Sequence, residues 1–296
     1  MPPPFALDAL NSASTADFVA AMAHVFEHSP WVVEAATASR PFETLAALRD
    51  AMLAVIEGAT PEQRLALIRA HPDLADRVKR ATGMTPASAA EQDGAGLHRL
   101  SESEFEQFEK LNDAYREKFG FPFILGVRRH TKDSILDRFA RRLDNAVPEE
   151  EAEALAEIGR IASLRLAALV EGGDALAVHG QLSTHVLDKH AGLPADGVSL
   201  ELVELSREGE SRVLVRTVTN ADGRTDAPLI ADRPVPIGAY ELRFHAGAYY
   251  ARRGVPLSDP RFLDIIAVRF GVAEPEAHLH VTLLMTPWGY TTYRGS

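Results

Sequence analysis

Two kinds of hydrophobic spacing divide the chain at residues 169–180. Before this segment, apolar residues recur with the three-to-four-residue spacing of a helix, and after it apolar and polar residues alternate as they do in strands. Glycine follows the same division, since seven of the 20 glycines precede Gly172. The pattern predicts an all-α domain over 1–172, a short linker over 173–180 and an all-β domain over 181–296.

Capping residues, prolines and glycines predict where the helices begin and end. The segment Thr60–Gln63 has the form of a capping box, and its helix must end by His71 because Pro72 disfavours helical backbone at the residue before it. The apolar run Phe121–Val127 contains a proline and a glycine, so we expect it to be non-helical. The other predicted helices begin at Ser14 or Thr15, run from Pro41 to Gly58, run from the Ser101–Glu104 capping box to Gly120, and span about 133–143 and 148–170.

Short alternating segments separated by turn residues predict the second domain. The turn Asn220–Gly223 gives a strong hairpin signal and is followed at once by Arg224. Strands at this spacing predict an antiparallel β-sandwich. In the predicted strand Val198–Leu205, Val203 shares a face with Ser199 and Glu201. The other predicted strands are Gln181–Asp188, Val213–Thr219, Ala239–His245, Ile265–Phe270 and His278–Thr286.

Composition excludes several classes of protein. A net charge of −11 argues against a nucleic-acid partner, which requires a clustered basic surface. The absence of cysteine excludes disulfides, thiolate zinc sites and cysteine nucleophiles. No apolar run approaches the roughly 18 residues of a membrane span, and the first residues do not have the form of a secretory signal. We therefore expect a cytoplasmic protein with no membrane partner.

Candidate chemistry in the first half centres on His71 and Glu91. His71 lies at a helix end, where its side chain can turn into a cleft, although a histidine at this position can also simply cap the helix. Glu91 can equally be a solvated side chain. Their combination with Ser88, Gln92 and an apolar loop with free backbone groups favours a site.

Histidines also mark the second half. His278 and His280 lie two residues apart, so both point to one face of a strand. Such a pair can bind a metal ion, but the sequence marks no third ligand, and a pair of surface or interface histidines remains an alternative. His185 taken alone would be a satisfied sheet histidine, and Arg224 taken alone a solvated side chain.

Four motifs of the helical half resemble the decarboxylase of 2-oxo-4-hydroxy-4-carboxy-5-ureidoimidazoline (OHCU), an enzyme of urate degradation. They are HPDLA, ASxxEQxxAGL, LNxxYRxKFGFPFILxV and EIxRIAxxRL, and the resemblance covers about Phe5 to Val170. It implies a decarboxylation without cofactor that gives (S)-allantoin, with His71 as the catalytic residue and Glu91 as its partner. It implies substrate binding by Pro72, Ser88, Gln92, Arg165 and the loop residues Phe123, Ile124, Leu125, Gly126 and Val127.

The strand half resembles 5-hydroxyisourate hydrolase, the transthyretin-like enzyme. LSTHVLD, NADGR, HLHVTLLMTPWGY and the terminal YRGS carry this resemblance from Gln181 to Ser296. It implies hydrolytic ring opening of 5-hydroxyisourate by His185, Arg224, His280 and the terminal tetrapeptide, with Ser296 catalytic and Tyr293 binding substrate. Neither resemblance implies a metal or another cofactor.

The two resemblances together predict a bifunctional enzyme for consecutive steps of urate degradation. They also imply a homo-oligomer, a tetramer through the strand domain with dimer contacts of the helical domain as a further possibility. Two alternatives compete with this hypothesis. One is a transthyretin-like carrier fused to a helical interaction domain, and the other is a hydrolase whose helical half is a scaffold. A carrier has no need of His185, Arg224, His280 and YRGS together, and intact His71, Glu91 and Gln92 argue against a scaffold.

Overall fold

The computed structural model describes residues 4–74, 100–172, 175–231 and 233–295. The chain forms two compact units, Met1–Val127 with Ile135–Val178 and Arg128–Ser134 with His179–Ser296. The first unit is built of helices and the second mainly of strands in two sheets, which confirms the predicted fold class. Within the described ranges, no helix is long and apolar enough to cross a membrane.

The helices that precede the sheets are short apart from two. The long ones begin after a capping box or a proline, and they carry most of the buried polar groups of the unit. In chain order the helices are α1 (Leu7–Ser12), α2 (Thr15–Met22), α3 (Pro30–Ala36), α4 (Leu45–Glu57), α5 (Pro61–Arg69), α6 (Glu102–Phe119), α7 (Lys132–Arg142) and α8 (Val147–Leu169), with 3-10 turns at Thr37–Ser39 and Val127–Arg129 and a parallel pair of short strands, β1 (Phe5–Ala6) and β2 (Val170–Glu171).

Both predicted capping boxes are confirmed. The Thr60 hydroxyl accepts the Gln63 N–H and the Gln63 side chain accepts the Thr60 N–H, and Ser101 and Glu104 repeat the arrangement. Helix α6 ends at Gly120, whose φ of 71° favours glycine. These local signals succeed because a cap satisfies backbone N–H groups that the helix itself leaves free.

The predicted start of helix α4 at Pro41 is wrong. Pro41 follows a cis peptide bond, and the helix begins instead at Leu45, where the Thr44 hydroxyl accepts the Ala47 N–H at 3.0 Å. A threonine cap satisfies a helix donor, which a proline at this distance from the helix cannot do. The patterns also did not predict helices α1 and α3.

A buried ion pair lies beneath the apolar run Phe121–Val127. Arg142 of α7 and Glu150 of α8 are 1% and 0% exposed, and Arg142 Nε lies 2.8 Å from Glu150 Oε1. The Tyr115 hydroxyl also donates to Glu150, and the Tyr115 ring packs against Phe119, Phe121, Phe123 and Phe139. Two desolvated charges persist here because each has its partner and further hydrogen bonds.

Two four-stranded sheets make up the second unit. One has the order β10-β9-β3-β4 and the other β6-β5-β7-β8, and all their strand pairs are antiparallel except β3 with β9, which run parallel. The strands are β3 (Gln181–Asp188), β4 (Leu193–Pro194), β5 (Ser199–Leu205), β6 (Ser211–Val218), β7 (Gly238–Phe244), β8 (Ile266–Val272), β9 (His278–Thr286) and β10 (Gly289–Gly295).

The core of this unit comes from both sheets and one added helix. Leu182 and Leu283 of the first sheet and Leu202 and Leu242 of the second belong to one cluster of buried side chains. Helix α9 (Ala246–Arg252), which the patterns did not predict, supplies Tyr249 and Tyr250, whose hydroxyls donate to buried Asp188.

The predicted alternation along β5 fails at Val203. A register shift lies between Leu202 and Val203, and both side chains are fully buried. A bulge of this kind turns two successive side chains toward the same layer. Val203 therefore does not share the half-exposed face of Ser199 and Glu201.

The segment Arg128–Ser134 packs with the strands, whereas the sequence prediction assigned it to the helical domain. Arg129 makes a two-pronged ion pair with Glu276, at 2.6 Å and 2.9 Å. The backbones of Arg129 and Thr131 bond both polar groups of Ile237. In the predicted linker 173–180, Leu176 and Val178 are buried in the core of the helical unit. The proposed boundaries therefore remain a prediction at the level of single residues.

We predict that Arg142→Met lowers the free energy of unfolding of the helical unit by about 3–5 kcal/mol, because it leaves the Glu150 carboxylate buried without its cation. Urea unfolding followed by helical circular dichroism measures this change. The matched control is Arg216→Met, which removes an exposed partner of Glu201 and should cost about 0–1 kcal/mol. Equal effects of the two substitutions would contradict a structural role for the buried pair.

Candidate active sites

His71 occupies the end of helix α5 with one ring nitrogen bonded and the other free. The helix ends at Arg69, and Pro72 prevents its continuation. The side chain of His71 is 7% exposed, and its Nδ1 lies 3.0 Å from the carbonyl oxygen of Leu67. A carbonyl only accepts, so Nδ1 carries the proton and Nε2 presents a lone pair. In the described part of the chain, this buried Nε2 has no hydrogen-bond partner.

The surroundings of His71 keep its imidazole neutral at pH 7. Burial lowers its pKa, and the charge of Arg165 lowers the pKa further. The bond to Leu67 and the charge of Glu27 act in the opposite direction without cancelling the shift. A buried, neutral imidazole with one unbonded nitrogen is suited to accept a proton and return it.

Arg165 and Glu27 form the charged part of this site. Arg165 projects from α8 and pairs with the Glu27 carboxylate through Nη2, while Nη1 donates to the carbonyls of His24 and Val25 at 3.0 Å and 3.1 Å. Burial by itself raises the pKa of Glu27, but the bond and charge of Arg165 outweigh it and lower the pKa. Sequence reasoning missed Glu27, since it lies outside the motifs and carries no local signal.

The apolar loop is held from below by charged side chains. The carbonyl of Ile124 accepts from Arg142 Nη1 at 2.7 Å, and the N–H of Gly126 donates to Glu157 Oε2 at 2.8 Å. The N–H of Val127 donates to the carbonyl of Leu125. The sequence analysis expected free backbone groups in this loop, yet these are already bonded within the protein.

The remaining predicted residues of the first site are placed differently. Phe123 and Leu125 are buried and Pro72 is exposed. Ser88, Glu91 and Gln92 lie outside the described residues. The structure thus brings His71 and Arg165 within electrostatic reach of each other, and the roles of all these residues stay predictions.

The second site lies where β3 and β9 run side by side. Their parallel register places Ser183 beside His280 and His185 beside Thr282. The ring centres of His185 and His280 are 6.4 Å apart, and those of His278 and His280 are 6.1 Å apart. The alternation of side chains therefore brings the three histidines to one face, as the spacing of His278 and His280 indicated.

Arg224 reaches this face through the tight turn before it. The N–H of Val186 donates to the carbonyl of Gly223 at 2.8 Å, and Arg224 forms a bridge with His185. Gly223 has a φ of 71°, and a Cβ there would lie 2.2 Å from the Val186 carbonyl oxygen. Glycine is therefore required for the turn to pack against β3 and to present the guanidinium.

The last strand closes the face beside His280. Gly295 is the register partner of His280, and a Cβ at Gly295 would lie 2.6 Å from the ring atom Cδ2. The ring of His280 therefore occupies the space that only glycine leaves. Tyr293 is 53% exposed opposite Thr282, and Ser296 lies outside the described residues.

Burial and Arg224 together keep the two central histidines neutral. Burial lowers the pKa of His185 and of His280, and the nearby positive charge of Arg224 lowers both further. His278 and His185 add to this effect at His280. Within the described ranges, no group of three or more histidine, aspartate or glutamate side chains could hold a metal ion.

Comparisons with known proteins follow the two halves of the chain. A family model described as OHCU decarboxylase matches residues 11–167, and one described as the HIUase/Transthyretin family matches residues 182–295. An OHCU decarboxylase of Haloferax volcanii is 46% identical over 161 residues, which are 54% of this chain and 94% of that protein. The 5-hydroxyisourate hydrolase 2 of Rhizobium meliloti is 52% identical over 118 residues, which are 40% of this chain and 97% of that protein.

One solved structure is similar along the whole length. The crystal structure of (S)-allantoin synthase shares 34% identity with this chain at a TM-score of 0.56 and covers 99% of this chain and 100% of its own. The chain therefore belongs to the OHCU decarboxylase family through residues 11–167 and to the HIUase/transthyretin family through residues 182–295.

Proposed function

We propose that this chain is a bifunctional enzyme of urate degradation. The strand unit hydrolyses 5-hydroxyisourate to OHCU, and the helical unit decarboxylates OHCU to (S)-allantoin. The observation that carries this proposal is the match of the two halves to two families of enzymes named for consecutive reactions, together with full-length similarity to (S)-allantoin synthase. No carrier among these relatives supports the alternative of a binding protein as well.

Hydrolysis requires a base, a stabilised oxyanion and an acid for the leaving nitrogen. A neutral histidine, His185 or His280, takes a proton from water as the oxygen attacks the substrate carbonyl. The guanidinium of Arg224 stabilises the negative charge that develops on the carbonyl oxygen. The other histidine positions the water or protonates the nitrogen as the ring opens. The lowered pKa of each imidazole supports these roles at neutral pH.

Decarboxylation requires a charge partner for the substrate and a proton delivered to one face of it. Loss of carbon dioxide leaves an electron-rich carbon that is delocalised into the imidazolinone ring, so the ring itself accepts the electrons. His71 Nε2 is the atom that takes up a proton and returns it, because Nδ1 is held by the Leu67 carbonyl. We assign Arg165 to the substrate carboxylate, with Glu27 as the residue that orients the guanidinium.

We further propose a cytoplasmic homo-oligomer that assembles as a tetramer through the strand unit. The polar residues Arg224, His278 and Tyr293 lie exposed on a sheet face in the single chain, and burial of such a face between copies would complete a site. Light scattering during size-exclusion chromatography measures the mass of the assembly.

We predict that His280→Ala slows the first step alone and His71→Ala the second step alone, each by about a hundredfold or more, because each removes a proton-transfer group. The substrate is generated from urate in situ, absorbance follows its hydrolysis, and circular dichroism follows the formation of (S)-allantoin. His179→Ala, at an exposed histidine, is the control and should leave both steps unchanged. Progress curves that neither active-site substitution alters would refute the site assignment.

We predict that Arg224→Gln raises the pKa of both His185 and His280, because it removes a positive charge that disfavours their protonated forms. A base with a lowered pKa stays neutral at pH values below 6.5, so the substitution moves its titration to higher pH. Nuclear magnetic resonance of the imidazole protons during a pH titration measures the shift. Arg216→Gln, on a strand of the other sheet, should leave both values unchanged.

We predict that Gly295→Ala reduces hydrolysis by about tenfold or more, since the new methyl group must displace the His280 ring from its position. Gly289→Ala in the same strand is the matched control. Its nearest neighbouring atom would be 3.9 Å from the new Cβ, so the rate should stay within about twofold. Decarboxylation by the helical unit should be unaffected in both variants, and an unchanged hydrolysis rate in Gly295→Ala would contradict the packing argument.

A further inference from the structure

The hydroxyl of Ser183 lies between two histidines. Its Oγ is 2.8 Å from His278 Nε2 and 2.8 Å from His280 Nδ1. The parallel register of β3 and β9 creates this arrangement, because it places Ser183 directly beside His280 and one diagonal step from His278. The other ring nitrogen of His280, Nε2, has no hydrogen-bond partner in the described part of the chain.

A hydroxyl carries one proton, so it can donate to only one of the two rings. In the first arrangement, His280 Nδ1–H donates to Ser183 and Ser183 donates to His278 Nε2. This leaves a lone pair on His280 Nε2. In the second arrangement, His278 Nε2–H donates to Ser183 and Ser183 donates to His280 Nδ1. The proton of His280 then sits on Nε2, which can no longer act as a base.

We propose that Ser183 is a positioning residue that sets the tautomer of His280, and that His278 decides which of the two arrangements it adopts. This inference rests on the proposed hydrolase function, with His280 acting as the base. Neutral His278 accepts the Ser183 proton and leaves His280 Nε2 ready to react. Protonated His278 can only donate, so the hydroxyl turns toward His280 Nδ1 and blocks the base.

The first arrangement lets the proton transfer proceed without rearrangement. Water gives a proton to His280 Nε2 as its oxygen bonds to the substrate carbonyl carbon, and the carbonyl electron pair moves onto its oxygen. The ring becomes an imidazolium with both nitrogens protonated, and its Nδ1–H still donates to Ser183. The hydroxyl and His278 therefore stay in place throughout the step.

Other charges around this chain of hydrogen bonds favour the same state. His185 on β3 and Arg224 after the turn both disfavour a protonated His280, and Asp222 acts on His185 from the same turn. Strand β10 presents uncharged Gly295 beside His280, whereas its Arg294 is the register partner of Val281 on the opposite face. Within the described residues, His278 is thus the titratable group that shares the Ser183 hydroxyl with His280.

The tautomer can be read directly, without reference to activity. Nitrogen-15 resonance of the imidazoles in the full chain distinguishes a protonated Nδ1 from a protonated Nε2. We expect His280 to carry its proton on Nδ1 at pH 7.5 in the unmodified protein, and to populate both tautomers in Ser183→Ala. A wild-type His280 protonated on Nε2 would overturn the inference, whatever the enzyme's activity.

Kinetics then test whether the tautomer matters. We expect Ser183→Ala to lower the kcat of hydrolysis by about tenfold with little change in KM, and Ser183→Thr to restore it, because a threonine hydroxyl makes the same bonds. Ser258→Ala, at an exposed hydroxyl, is the control. An unchanged kcat in Ser183→Ala would overturn the inference. Absence of hydrolysis in the unmodified protein would instead refute the proposed function.

Substitutions at His278 separate a titrating gate from simple packing. His278→Gln offers Ser183 an amide oxygen that accepts at every pH, so activity should persist at neutral pH and extend to lower pH than in the wild type. His278→Lys offers only a donor and should reduce kcat at least about tenfold even where His280 is neutral. Equal behaviour of the two variants would overturn the role of His278.

Discussion

Both sites depend on one constraint, which is that an imidazole must stay neutral while a single ring nitrogen remains free to exchange a proton. His71 meets it with Nδ1 at 3.0 Å from the Leu67 carbonyl, and His280 with Nδ1 at 2.8 Å from the Ser183 hydroxyl. In each case burial is the main cause of a lowered pKa. Unrelated folds have thus reached the same chemical state of a histidine, and the elements around each site serve to maintain it.

The two units maintain this state by different means. Around His71, charged side chains act from beneath the site: Arg165 is held by Glu27, and the loop Phe123–Val127 is anchored by Arg142 and Glu157. Around His280, backbone approach does the work, since Gly223 lets a turn touch β3 and Gly295 leaves room for the ring. Buried charges cost desolvation and need several partners, whereas close backbone contacts need only the absence of a side chain. The helical site is therefore rich in ion pairs and the sheet site in glycine.

Most features predicted correctly from the sequence are local ones. Capping boxes, the end of α5 at Pro72, the extent of β3 and β9 and the shared face of His278 and His280 all depend on residues within a few positions of one another. The motifs added the families and the candidate residues. The errors also have local causes: Pro41 resembled a helix start although Thr44 provides the cap, and the bulge at Val203 breaks an alternation that the residue types follow.

The sequence by itself determined the division into helices and strands, the two families and the presence of histidines suited to proton transfer, because periodicity and motifs are properties of neighbouring residues. Only the tertiary structure decided which groups surround those histidines. Glu27 reaches Arg165 across 138 positions, and Ser183 reaches His280 across 97. Contacts of this separation follow from helix packing and from the parallel register of β3 and β9, and no spacing along the chain encodes them. The chemical state of each histidine is set by those distant partners and by burial, which exist only in the folded chain.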